Sequence, residues 1–256
     1  LATLHNTGNA STPVRDMADE VGVSDCGAGT HKECLLSRLF SLDAGTGGAT
    51  PLRQALDEAG AYFDDTDGLF HEYLGNAEGT PILPLADGGN CQQNFAIVVS
   101  DGFWNGTWPP EDNNGNPDTD SAGQALASHG DADSDNSSQW DGGSHADGDG
   151  STRGGVCGAN AITTDTLADI AMHYYETDLS ALANGVPTSD DDDNDQQHLV
   201  TFTVAFGIDG TVPDNPPNRD DAFDWPPVCS NGPTAVDDMR HAAWNGRGQF
   251  LSARNP

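Results

Sequence analysis

Phe95-Ala96-Ile97-Val98-Val99 is an unbroken apolar run that leads into Ser100-Asp101-Gly102. A run without alternation, bounded by a turn, predicts a strand over 94–100 covered on both faces, as in the interior of a parallel sheet. Asp101 then stands at the carboxyl end of that strand, the edge where open α/β sheets bind ligands. Gly102 lets the chain turn away without a side-chain clash. A second run, Leu199 to Phe206, is rich in β-branched and aromatic residues and closes at Gly207, which predicts another core strand. Gln249 to Ala253 supplies a short third strand.

Helical spacing separates these strands. Leu52, Ala55, Leu56, Ala59 and Phe63 share one face and predict a helix over 51–63, with Thr50 as its N-cap and Pro51 at its first position. Leu167, Ile170, Ala171 and Tyr174 predict a second helix over 165–179, for which Thr163, Thr164 and Thr166 offer caps. Residues 236–244 read as a third, and a shorter amphipathic helix is expected from Leu35 to Leu42. Helix, strand, helix, strand, helix, strand is the order of an α/β fold on a doubly wound, mainly parallel sheet with right-handed crossovers.

Polar, glycine-rich sequence fills the intervals. Residues 1–34 and 64–90 read as loop with little periodicity, while about 107–160 and 209–233 read as long insertions in one domain spanning 1–256. Only 35% of residues are hydrophobic, against 31 Gly and 15 Pro, which fits a few core segments joined by long loops. The net charge of −32 comes from 41 acidic and 9 basic residues, with Lys32 the single lysine, and argues against a nucleic-acid partner. Aspartate far outnumbers glutamate, a bias toward turns and divalent-cation loops that is also compatible with a high-salt surface.

The cysteines Cys26, Cys34, Cys91, Cys157 and Cys229 lack zinc-site spacing and point instead to disulfides in an oxidising compartment. Cys26 with Cys34 would close a short loop, and Cys157 with Cys229 would pin the two insertions. Cys91 is left over, either buried or paired outside the chain. No run approaches the roughly 18 apolar residues of a membrane span, and no signal peptide opens the sequence, so the chain reads as a processed piece of an exported protein.

Candidate chemistry is sparse. Asp131, Asp133 and Asp135 alternate as in the first half of an EF-hand loop and form a candidate calcium loop, although Asn136 replaces the expected glycine and Gly142 the expected glutamate. Asp112, Asn114, Asn116, Asp118 and Asp120 form a comparable cluster, whereas Asp190 to Asp193 reads as a solvated loop. The histidines at 5, 31, 71, 129, 145, 173, 198 and 241 show no HExxH spacing and read as surface or helix-packing residues. There is no GxSxG, and Ser100 is expected to point into packing, which leaves a secreted hydrolase as the weaker alternative. An extracellular multi-site calcium-binding structural or surface-layer protein is the stronger alternative.

Gly47 to Leu52, GGATPL, opens a helix, and one helix later comes the strand ending in SDG. Together they resemble the von Willebrand factor A fold and its metal-ion-dependent adhesion site. The resemblance implies that Thr50 and Asp101 help hold Mg²⁺ or Ca²⁺ beside a DxSxS loop that follows the first strand. No DxSxS occurs in this sequence, so the first strand and the last helix are expected outside residues 1–256. Six blocks narrow the resemblance: TPLRQALDEAGAYF, CQQNFAIVVSDGFWNG, DGGSHADG, TLADIAMHYYETDL, VTFTVAFGIDGT and DDMRHAAWNGRGQFLSA. In that order they are similar to the N-terminal region of the PilY-type adhesins of type IV pilus tips. That family implies a non-catalytic adhesion and assembly module, at the cell surface or pilus tip. Its partners would be minor pilins and a host or surface receptor, and a β-propeller would follow.

Overall fold

The computed structural model describes residues 20–21, 29–40, 50–64, 82–101, 103–105, 129, 132, 162, 164–212, 225–229 and 231–253. Strand β1 (Glu20–Val21) pairs antiparallel with β2 (Gly29–Thr30), and helix α1 (His31–Phe40) follows at once. The helix starts earlier than its apolar spacing predicts, because Thr30 and Glu33 form a reciprocal cap. Thr30 N donates to Glu33 Oε2 at 2.9 Å, and Glu33 N donates to Thr30 Oγ1 at 3.4 Å.

Helix α2 (Leu52–Phe63) leads to β3 (Asn94–Ser100), α3 (Leu167–Glu176), β4 (Leu199–Phe206), α4 (Thr234–Asn245) and β5 (Arg247–Ala253). The three strands form one parallel sheet in the order β3-β4-β5. Asn94 pairs with Leu199 and Ser100 with Ala205, and β5 joins through a register shift between Thr201 and Thr203. Gly248 explains how β5 can begin there, since a Cβ on it would lie 2.1 Å from the Thr201 carbonyl oxygen. The class is therefore α/β, as the order of apolar segments predicts.

The core lies on one face of this sheet. Leu52 and Leu56 of α2, Leu167, Ile170 and Ala171 of α3, and Met239 and Ala242 of α4 are buried with Ala96, Leu199 and Ala205 of the strands. Each large apolar side chain buried in this way contributes roughly 1.5–3 kcal/mol. Thr203 Oγ1 donates to the Met239 carbonyl at 2.7 Å and ties α4 to β4. Gly60 lets α2 press on α3, because a Cβ there would lie 2.2 Å from the Tyr174 ring.

Among the described residues the other face is only partly covered: on β4 Val200 is buried and Phe202 and Val204 are half-buried, while β3 is open. Phe95, Ile97 and Val99 are 52%, 68% and 49% exposed, whereas Asn94, Ala96 and Ser100 are buried. This corrects the expectation of cover on both faces for β3, whose alternate residues stay exposed. Phe206 and Leu251 extend the exposed row. Ser100 does point into packing, as expected.

Two further expectations are corrected. Thr50 does not cap α2; the cap position is Pro51, without a side-chain hydrogen bond. The 209–233 insertion does contribute to the interior, since Val212, Trp225 and Val228 are buried and Val228 exchanges both backbone hydrogen bonds with Ile162, at 2.9 and 3.1 Å. Thr166 caps α3 as its sequence suggests, in a capping box with Asp169.

Candidate functional site at the carboxyl edge of the sheet

The chain leaving β3 is fixed by Trp104, whose ring is fully buried. Its Nε1 donates to Asp238 Oδ2 at 2.9 Å, its carbonyl accepts from Asn231 N at 2.8 Å, and the Arg53 guanidinium lies 4.5 Å over its ring. The next residue, Asn105, holds the start of α2. Asn105 Oδ1 accepts from Thr50 N at 2.8 Å, and Asn105 N donates to the Thr50 carbonyl at 3.1 Å. The segment carrying Thr50 is thus seated against the loop that begins at Asp101, and Asp101 itself is exposed at the strand end.

Asp238 reaches from α4 to the start of α3, where Leu167 N and Ala168 N each donate to it at 3.1 Å. These are amides that a helix cannot satisfy internally, and the positive end of the helix dipole favours a carboxylate there. Burial nevertheless dominates and pushes the Asp238 carboxyl up to about 6, against the lowering effects of the Leu167 amide, His241, the Ala168 amide and Arg53. Arg53 is buried too; burial lowers its pKa while Asp238 and Asp165 oppose the shift. Arg53 Nη1 donates to the Asp165 carbonyl at 2.9 Å, which helps hold Asp165 in the left-handed region at φ 53°.

Two aspartate-histidine-tyrosine clusters flank α3. In the first, Asp57 Oδ1 accepts from Tyr174 OH at 2.8 Å and faces His129 Nε2 at 2.6 Å, while His129 N donates to the Asp165 carboxylate. In the second, Asp192 accepts from Tyr175 OH at 3.0 Å and faces His198 Nε2 at 3.0 Å. The second cluster corrects the reading of Asp190 to Asp193 as merely solvated: Asp192 is half-buried, and the buried Asn194 donates through Nδ2 to the Tyr175 carbonyl at 2.6 Å.

Among the described residues no group of three or more His, Cys, Asp or Glu side chains is arranged to hold a metal ion. Thr50 and Asp101 alone supply two side-chain oxygens, short of the about six that a hard cation takes. The calcium-loop candidates Asp131, Asp133 and Asp135 lie outside the described residues, as do Cys26 and Cys157. Cys34 and Cys229 are each in a disulfide, and Cys91 is an exposed free thiol rather than a buried one.

The similarity of this chain to known proteins lies in type IV pilus biogenesis factors. It matches PilY1 of Pseudomonas aeruginosa strain PAK at 28% identity over 257 residues, covering 89% of this chain and 19% of the relative. PilY1 of strain PAO1 matches at 29% over 238 residues, covering 82% and 18%. The chain therefore spans about a fifth of the length of the curated relatives it matches. No family profile and no solved structure matches it. No helix among the described residues is long and apolar enough to cross a membrane.

Sequence reasoning missed Arg53, Trp104 and Asp238, which build the edge around Asp101, and Asp57, which anchors the first cluster. A buried aspartate inside an amphipathic helix carries no local signature. One weak signal was present: Arg53 and Asp57 sit one turn apart in α2 next to the apolar positions Leu52 and Leu56.

Proposed function

We propose that this chain is a non-catalytic adhesion and assembly module of a type IV pilus-associated exported protein, with a von Willebrand factor A-type arrangement. The observation that carries this reading is the similarity to PilY1 over 82–89% of the chain. A parallel sheet whose strand-end aspartate, Asp101, is exposed beside the Thr50 segment supports it further. The pilus tip with its minor pilins, and a surface receptor, would be the partners. Mg²⁺ or Ca²⁺ would bind at Thr50 and Asp101 only when further oxygen ligands join them.

Deleting the gene in its own host and restoring the full-length protein tests this. Surface piliation and surface motility should return with the parent and fall with Asp101→Ala at equal protein level. Full piliation, motility and adhesion in the deletion strain would overturn the assignment. Normal behaviour of Asp101→Ala alone would remove only the cation-site part.

A further inference from the structure

His173 projects from α3 into a stack of rings, 4.1 Å from the ring of His129 and 4.8 Å from that of Tyr174. The carboxylate beside this stack is already engaged, since Asp57 Oδ1 accepts from Tyr174 OH and faces His129 Nε2. Asp64, at the end of α2, is the other carboxylate acting on His173. The remaining neighbours of α3 direct their charges elsewhere. Asp238 of α4 meets Leu167 and Ala168, Asp237 accepts from Thr211, Arg240 lies over Phe250, and His241 stacks on Trp225. β4 carries no titratable side chain, and Asp192, His198 and Arg247 gather at Tyr175.

We propose that the His173–His129 stack is an acid-opened clasp: when His173 takes up a proton, α2 and the chain at His129 separate from α3. A neutral imidazole lying against other rings is an ordinary packing contact. His173 is half-buried, so an imidazolium in the same place loses part of its hydration, and the carboxylate closest to the stack already holds two hydrogen-bond partners. Burial first, and His129 second, bring the His173 pKa down to about 4, although Asp57 and Asp64 pull the other way. The closed stack and the charged ring therefore exclude one another across mildly acidic pH.

The test follows the histidine ring protons of the full chain by NMR between pH 7 and 4, together with amide hydrogen exchange in α2 and α3. Protection in α2 should fall by about tenfold or more, the change expected for each unit of linked pKa shift, in step with protonation of His173. His173→Gln, which cannot take up the proton, should keep protection level over the same range. The proposal is overturned if His173 titrates at its ordinary value without loss of protection, or if His173→Gln loses protection as the parent does. Should the variant not fold at pH 7, the parent decides alone: protection lost out of step with His173 also overturns it.

Discussion

Tyr174 and Tyr175 are adjacent on α3, and each donates its hydroxyl to an aspartate that also faces a histidine. The same three residue types give two different electrostatic environments. Around Tyr174 the additional neighbour is a second imidazole, His173, and burial drives that ring toward neutrality. Around Tyr175 it is the Arg247 guanidinium, 4.9 Å over the ring. Here His198 Nδ1 faces the Gln196 carbonyl at 2.8 Å and Nε2 faces the Asp192 carboxylate at 3.0 Å. Both partners are acceptors for the ring nitrogens. Burial by itself would raise the Asp192 pKa, but the hydrogen bond and charge of His198, with Tyr175, bring it below the ordinary value. The two aspartate-histidine-tyrosine groups thus differ in the residue beside them, an imidazole at Tyr174 and a guanidinium at Tyr175.

The largest expected effect comes from removing the more buried aspartate. Asp57→Ala leaves the Tyr174 hydroxyl and His129 without their acceptor, in a site where the His129 and Asp57 side chains are 6% and 5% exposed. It should cost about 3 kcal/mol in denaturant unfolding. Asp192→Ala, at 12% exposure, should cost less, about 1–2 kcal/mol because water can replace part of what is lost. Equal losses would break the comparison.

Acid should then separate the clusters. The folded-state pKa of His173 lies below its ordinary 6.5, at about 4. Its contribution is therefore complete above pH 6.5 and is lost as pH falls toward 4, by roughly 3 kcal/mol over that interval. Asp192 is also depressed, so its contribution is complete above the ordinary carboxylate value of 3.8 and is lost only below it. Asp238 has the opposite sign: with its pKa raised to about 6, it favours the fold below pH 3.8 and loses that advantage as pH rises through 6. Because Asp238 acts in the opposite direction over nearly the same range, the parent curve alone does not separate them; unfolding is measured from pH 7 to 3 in the parent and in His173→Gln, and a parent-minus-variant difference that stays constant between 6.5 and 4 would refute the first.

The smallest effect sharpens the role of Arg247. Arg247→Gln should cost about 0.5–1 kcal/mol through loss of the contact with Tyr175. It should also raise the Tyr175 pKa further, because burial, the main cause of its upward shift, would no longer be opposed by the guanidinium. Thermal unfolding with an absorbance titration of the phenol checks both. A fall in that pKa would contradict the assigned role.

The elements were legible wherever one segment carried its own signal. The strands at 94–100 and 199–206, the helical face of Leu52, Leu56 and Phe63, and the Thr166 cap all follow from local pattern. The clusters were not legible. His129 is 72 residues from Asp57, and Tyr174 is 117 residues from it, so only the folded chain makes them neighbours. Nor could spacing reveal that Thr50 would commit its backbone to Asn105 rather than serve as a cap. The resemblance in the GGATPL and SDG segments pointed to the carboxyl edge of the sheet, and Arg53, Trp104 and Asp238, which shape that edge, had no part in it.

The register of β3 against β4 has a consequence for how the chain is made. Asn94 pairs with Leu199, so 105 residues separate the two partners of a single ladder step. At a synthesis rate of about 5–20 residues per second, β3 leaves the ribosome some 5 to 20 seconds before β4 exists. Throughout that interval Phe95, Ile97 and Val99 form an apolar strand without its ladder, on a chain whose parallel pairing must wait for a long loop to close. Newly made chains should therefore depend on whatever holds them unfolded more than the completed domain does. Pulse-labelled nascent chains arrested before and after residue 206 would show that dependence as a difference in aggregation.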